Sequence, residues 1–289
     1  MWQELFGTGI VKTSEDFGSQ GTPPVHPQLL DWLAAEFIES GWNMKHMYRI
    51  ILQSATYQQA SNMSEIHLEK DPENRLLARG PRHRLDAETI RDQALYVSQL
   101  LHPTMGGEPV KPYQPLGVWN AVAYVGSNTS HFEADVGEAL YRRSLYTFWK
   151  RTAPPPSMAI LDAPSRESCR TRRERTNTPM QALLLMNDPQ FLEAARKLAE
   201  RVLLETPSDT AARMLEMALG KPAEPELISI INASHDKLYP YYKNNPKSRR
   251  ALLAIGESHA SNQLDSTQLA TWTMLASQIM NMDFFISKN

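Results

Sequence analysis

Cysteine is almost missing from this chain. Cys169 is the only one in 289 residues, which excludes an intrachain disulfide framework and any cysteine-rich metal centre. The glycine-patterned loops that cradle phosphates, the Gly-x-Ser-x-Gly nucleophile elbow and the Cys-x-x-Cys-His haem attachment are missing too. Eight histidines are scattered with no pair at helical spacing, so no cofactor is expected. The opening Met1 to Phe6 has neither a basic start nor a long apolar run, so no signal peptide is expected in it. The longest uncharged stretch near an end, Ser266 to Met282, carries Thr267, Gln268, Thr271, Thr273, Ser277, Gln278 and Asn281. So many polar groups are too costly at a bilayer centre, and no membrane span is expected. Excess charge is missing as well. A net charge of −2 gives no electrostatic reason to expect nucleic acid as a partner.

What is present is an ordinary globular balance, 42% hydrophobic and 21% charged, far from disorder. Twenty prolines point to numerous stiff loops. Pro27 opens a helix whose Leu30, Leu33, Ala34, Phe37 and Ile38 share one face, and Gly41 stops it. A second helix is expected from Met44 to Gln58, completing a hairpin. Asp86 caps a helix through Ile90, Ala94, Leu95, Val97 and Leu101. Residues 102 to 130 read as a long ordered loop. Arg143 to Lys150, β-branched and aromatic before a proline triplet, is the best strand candidate. Helices return after Pro179, with Asp188-Pro189 as cap and first turn of a long one. Further helices end at Gly220, start at Pro225, and run from Asp265 to Ile286. The expected class is mainly α: about eight helices in an irregular domain with long Pro/Gly-rich loops and at most a few short strands.

Charge is unevenly spread. Arg142, Arg143, Lys150, Arg151, Arg166, Arg170, Arg172, Arg173 and Arg175 face only Asp162, Glu167 and Glu174, so this segment carries +6 and the remainder −8. Eight of the nine cations are arginine, whose planar fork pairs bidentately with carboxylate, phosphate or sulfate. Internal pairing that ties layers together is one reading. An anion-binding surface built on Arg142, Arg143, Arg170, Arg172, Arg173 and Arg175 is the other. Cys169 is expected to be a buried small apolar residue. His131, Glu133 and Asp135 are weak metal candidates, because three ligands within five residues rarely suffice without a distant fourth. His26, just before the first long helix, reads as a cap.

Several blocks in combination carry a family likeness. They are Trp2 to Val11, Asp16 to Gly18, His26 to Ala34, Lys45 to Tyr57, Asp71 to Arg75, and Pro81 to Leu85 with Ala87, Glu88, Arg91 and Asp92. Later come Tyr141 to Tyr146, Asp162 to Pro164, Cys169, and Thr178 to Leu183 with Asn187. Together they resemble a planctomycete and verrucomicrobial domain of unknown function, number fifteen-fifty-three. The resemblance spans nearly the whole chain and contains no known catalytic motif. It implies the C-terminal domain of a large exported protein, secreted or periplasmic, whose upstream part often holds a cytochrome c-like module. Residues 1–289 are then one family domain, expected to be a C-terminal fragment, with a possible subdivision into 1–135 and 136–289. The expected partners are upstream domains and an anionic polysaccharide. The expected role is a noncatalytic accessory module. The alternatives are a polysaccharide-acting hydrolase using acids such as Asp162 or Asp135, and a structural cap.

Overall fold

In a computed structural model, residues 1–124, 126–127 and 129–288 are described. They form two compact units. The first comprises Met1–Arg84, Cys169–Arg172 and Ser287–Asn289, and the second Leu85–Ser168 and Arg173–Ile286. Thirteen α-helices and one two-stranded sheet are found among the described residues, so the mainly α class holds.

In the first unit, helix α1 spans Trp2–Phe6, α2 Pro27–Glu39, α3 Met44–Gln53 and α4 Glu65–Lys70. The Asn43 side chain starts α3 by accepting the His46 amide at 3.1 Å. This helix stops at Gln53 rather than Gln58, because Ser54 turns its hydroxyl to Ile51 O at 2.7 Å and accepts the Tyr57 amide at 3.2 Å. Such local side-chain bonds offer the backbone an alternative to the next helical turn. His26 stands at the start of α2 but makes no capping bond; its Nε2 lies 3.1 Å from Arg75 O. Strand β1, His83–Arg84, pairs antiparallel with β2, Ser287–Lys288. Among the described residues 1–84, the only fully buried hydrophobic side chains are Met47 and Ile51.

The second unit holds α5 (Ala87–Val97), α6 (Pro156–Ile160), α7 (Pro179–Asn187), α8 (Pro189–Glu205), α9 (Thr210–Leu219), α10 (Pro225–Asn244), α11 (Pro246–Leu253), α12 (Ser266–Met280) and α13 (Asp283–Ile286). Its core is built on α8 and α12. Ala194, Ala195, Leu198, Ala199 and Val202 meet Leu269, Leu275, Ala276 and Ile279, all at or near zero exposure. The alanines let the two axes approach closely. Ile90 and Ala94 of α5 close one side, and α10 and α9 close others.

Proline opens helices as well as stiffening loops. Six helices, α2, α6, α7, α8, α10 and α11, begin on a proline, where its missing N–H has no helical partner to lose. The expected strand at Arg143–Lys150 is absent. Ser144–Tyr146 is a 3-10 turn, and Thr147 contributes only an isolated bridge to Val110. The backbone there is spent on side chains instead: the Ser144 amide donates to Asp92 Oδ1 at 2.7 Å, and Arg142 O accepts from Arg91 at 2.9 Å. The terminal helix breaks at Asn281 into α12 and α13.

Candidate functional site

The first unit leaves a cleft of about 650 Å³ open between α1, the following loop and the start of α2. Trp2, Ile10, Val11, Phe17, Pro23, Pro24 and Leu30 are its apolar walls. Trp2 stacks on Phe6 at 4.2 Å between ring centres, and Phe6 meets Tyr57 edge-on at 5.6 Å. Lys288 donates to Leu5 O at 2.8 Å and lies over the Tyr57 ring at 4.3 Å, which anchors this floor. Trp2, Leu5 and Phe6 are only half buried, and Phe17 is 77% exposed. The loop carrying Phe17 is set by Thr13, whose hydroxyl donates to Asp16 O at 2.8 Å and accepts the Thr22 amide at 2.9 Å. Lys12 pairs with Glu73 at 2.8 Å and holds that carboxyl below its ordinary range, mainly through the hydrogen bond.

The six candidate anion-binding arginines fall in both units, Arg170 and Arg172 in the first and Arg142, Arg143, Arg173 and Arg175 in the second. In the first unit, Arg172 lies 3.7 Å from Glu15, both half exposed. Arg170 belongs to the same unit. Cys169 beside it is exposed, which corrects the expected burial: this stretch lies outside any helix, with no apolar face to turn inward. In the second unit, Arg173 reaches Glu88 at 2.5 Å and Asp86 at 3.7 Å, and Arg175 reaches Asp86 at 3.7 Å. Asp86 makes no capping bond at the head of α5, and two guanidinium groups face its carboxylate instead. Arg142 is buried, donates to Glu108 O at 2.8 Å and to Gly106 O, and stacks over Tyr146. Arg143 lies 3.6 Å from Asp92.

The other candidates are occupied locally. His131 Nδ1 contacts the Asn120 amide at 3.0 Å, while Asp135 accepts the Lys111 amide at 2.7 Å. Glu133 is exposed. Among the described residues, no group of three or more His, Cys, Asp or Glu is arranged to hold a metal ion. Asp162 accepts the Thr176 amide and hydroxyl at 2.6 and 2.7 Å, plus the Gln181 amide at 3.1 Å.

Two buried polar centres in the second unit escaped the sequence reading. Glu193, at zero exposure on α8, accepts from Tyr141 (2.8 Å), Tyr113 (3.1 Å), and the Ser258 amide (2.7 Å) and hydroxyl (2.6 Å). Burial, reinforced by the Glu193 charge, pushes the Tyr113 phenol up to about 12; burial and the Glu193 hydrogen bond push Tyr141 up as well. Arg91, buried on α5, donates to Leu140 O at 2.7 Å, Arg142 O and Gln190 Oε1 at 2.9 Å, and Ser144 Oγ at 3.1 Å. Burial holds it down to about 10.

Against known proteins, one family model matches residues 1–234: PSD1, protein of unknown function (DUF1553). The chain belongs to this family. No curated protein matches the chain, and no solved structure does. For this DUF1553 chain the resemblance drawn from the sequence blocks therefore stands. The blocks fall on both units: Trp2 to Val11 borders the cleft, and Arg91 with Asp92 supports the 3-10 turn at Ser144. Glu193 gave no signal because a glutamate in a helix normally reads as a solvated charge, and its donors lie 52 to 80 residues away.

Proposed function

We propose that the chain is a noncatalytic docking module whose first unit receives an amphipathic, basic helix of a partner protein. One observation carries this reading: the open apolar cleft of about 650 Å³, with Phe17 standing 77% exposed in its wall. Apolar grooves of this kind take the apolar face of a helix, and exposed aromatics are the usual anchors of such contacts. Trp32, Ile38 and Trp42 are further exposed apolar side chains of the same unit, more than a small ligand would need. The partner's sign follows from the stretch around the cleft: residues 1–40 carry Glu4, Glu15, Asp16, Asp31, Glu36 and Glu39 against Lys12, which is paired with Glu73, while Glu15 meets Arg172 and Glu36 meets His46. An exported setting, as the family resemblance implies, is part of the proposal.

The test uses two synthetic amphipathic peptides, one of leucine and lysine and one of leucine and glutamate, followed by tryptophan fluorescence. The Leu/Lys peptide is expected to bind in the micromolar range and the Leu/Glu peptide at least about tenfold more weakly. Phe17→Ser, at an exposed position, should weaken the first peptide about tenfold with an unchanged melt. Absence of Leu/Lys binding, equal binding of both peptides, or binding indifferent to Phe17→Ser would each overturn the reading.

A further inference from the structure

A second cavity lies in the second unit, bounded by the loop at Lys111 to Gln114, by Thr147 and Phe148, by α6 and by the start of α8. It offers about 20 Å³ of room for the centre of a water-sized atom, enough for one such occupant. Three polar atoms of its lining residues are buried without a protein partner: Gln114 Nε2, Thr147 Oγ1 and Gln190 Nε2. Thr147 and Gln190 are each less than one-tenth exposed. Buried donors are seldom left unmet, so three on residues lining one cavity mark it as a candidate binding site.

The kind of occupant follows from what these atoms can do. Gln190 Oε1 accepts from Arg91 Nη2 at 2.9 Å, and an arginine can only donate. The Gln190 amide orientation is thereby fixed, and Nε2 is a donor. Gln114 presents Nε2 as a second donor, and the Thr147 hydroxyl can donate a third bond or accept one. A water molecule would bring two hydrogens of its own and needs acceptors for them. Asp188 also lines the cavity; its Oδ1 accepts the Gln190 backbone amide at 2.9 Å at the head of α8, and burial pushes its carboxyl above the ordinary range. Lys111 Nζ and the buried Arg91 add positive charge at the rim, although Lys111 lies 3.8 Å from Asp135 and Arg91 3.9 Å from Asp92. We infer that this cavity binds a single monatomic anion of chloride size, held by Gln114, Thr147 and Gln190. The site is independent of the cleft in the first unit.

The experiment compares chloride with gluconate at constant ionic strength on the full chain. Saturating chloride is expected to raise Tm by about 2–4 °C or more, as any ligand selective for the folded state does. Gln114→Leu with Thr147→Val should remove that rise. Crystals grown in bromide should show an anomalous peak between Gln114, Thr147 and Gln190. A Tm indifferent to chloride, an equal rise in the double variant, or an ordered water in place of bromide would overturn the proposal. Should the double variant not fold, the wild-type titration and the bromide map decide.

Discussion

Gly256 is a position where a single methyl group should do marked harm. Its φ is +86°, and a Cβ built there would sit 2.3 Å from Glu193 Cδ and 2.6 Å from Oε1. Glu193 cannot step aside cheaply, because two phenols, an amide and a hydroxyl converge on its carboxylate. For Gly256→Ala the left-handed backbone costs about 1–2 kcal/mol. Forcing a methyl into the fixed carboxylate costs about 1–3 kcal/mol more. The sum, about 2–5 kcal/mol, lowers Tm by roughly 5–20 °C for a unit of this size. Circular-dichroism melts and urea titrations read it directly. The two parts separate in a double-mutant cycle: in a Glu193→Ala background the steric part vanishes and Gly256→Ala should cost only the backbone share. A loss below about 1 kcal/mol in the parent, or an undiminished loss in the Glu193→Ala background, would refute the idea that Glu193 is a fixed wall.

Two further outcomes follow from the same coordinates. Tyr113 and Tyr141 hold their protons more tightly folded than unfolded, so their contribution is complete below pH ~10 and is lost as pH rises through the folded value of about 12 for Tyr113. Alkaline melts should therefore fall across that window, and Tyr141→Phe should flatten the slope; a flat profile in the parent would contradict the buried hydrogen bonds to Glu193. Arg172→Ala removes a half-exposed pair with Glu15 and should shift stability by less than about 1 kcal/mol in a urea titration, whereas a larger loss would make this arginine scaffold.

The helices were legible where punctuation was local. Pro27, Pro189 and Pro225 each open a helix as read, α7 starts at Pro179 itself rather than just after it, and Gly220 ends α9 in the left-handed conformation. Legibility failed where a distant partner decides. Arg143 to Lys150 has strand composition, but a strand needs a neighbouring ladder, and Arg91 and Asp92, some 50 residues earlier, claim its backbone groups instead. Residue statistics favour burial for a free cysteine, but the segment around Cys169 has no helix to bury. The cleft was visible only in part. Its residues Trp2, Ile10, Val11, Phe17 and Leu30 have no common period, because a loop brings them together.

Four buried arginines, Arg79, Arg91, Arg142 and Arg196, share a structural account, and only Arg142 of them lies in the +6 segment, where Arg143, Arg172, Arg173 and Arg175 meet carboxylates instead. Long irregular loops leave backbone carbonyls without helical or sheet partners, and these must find donors. Buried guanidinium groups supply them throughout. Arg91 reaches Leu140 O and Arg142 O, Arg142 reaches Glu108 O and Gly106 O, Arg196 reaches Ile255 O and Ser258 O, and Arg79 reaches Asp71 O and Pro72 O. One rigid fork serves several carbonyls at once, which an ammonium on a flexible stem does less well. Charge is thus secondary to donor geometry at these sites, and a charge-preserving change should not rescue them. Arg142→Lys keeps the charge but cannot span Glu108 O and Gly106 O together. It also loses the stacking over Tyr146 at 4.1 Å. Leaving one of these carbonyls unmet costs about 1–3 kcal/mol, so Arg142→Lys should approach Arg142→Ala in a urea titration. If Arg142→Lys melts like the parent while Arg142→Ala does not, charge rather than the fork is what the loop requires, and the account of these buried arginines fails.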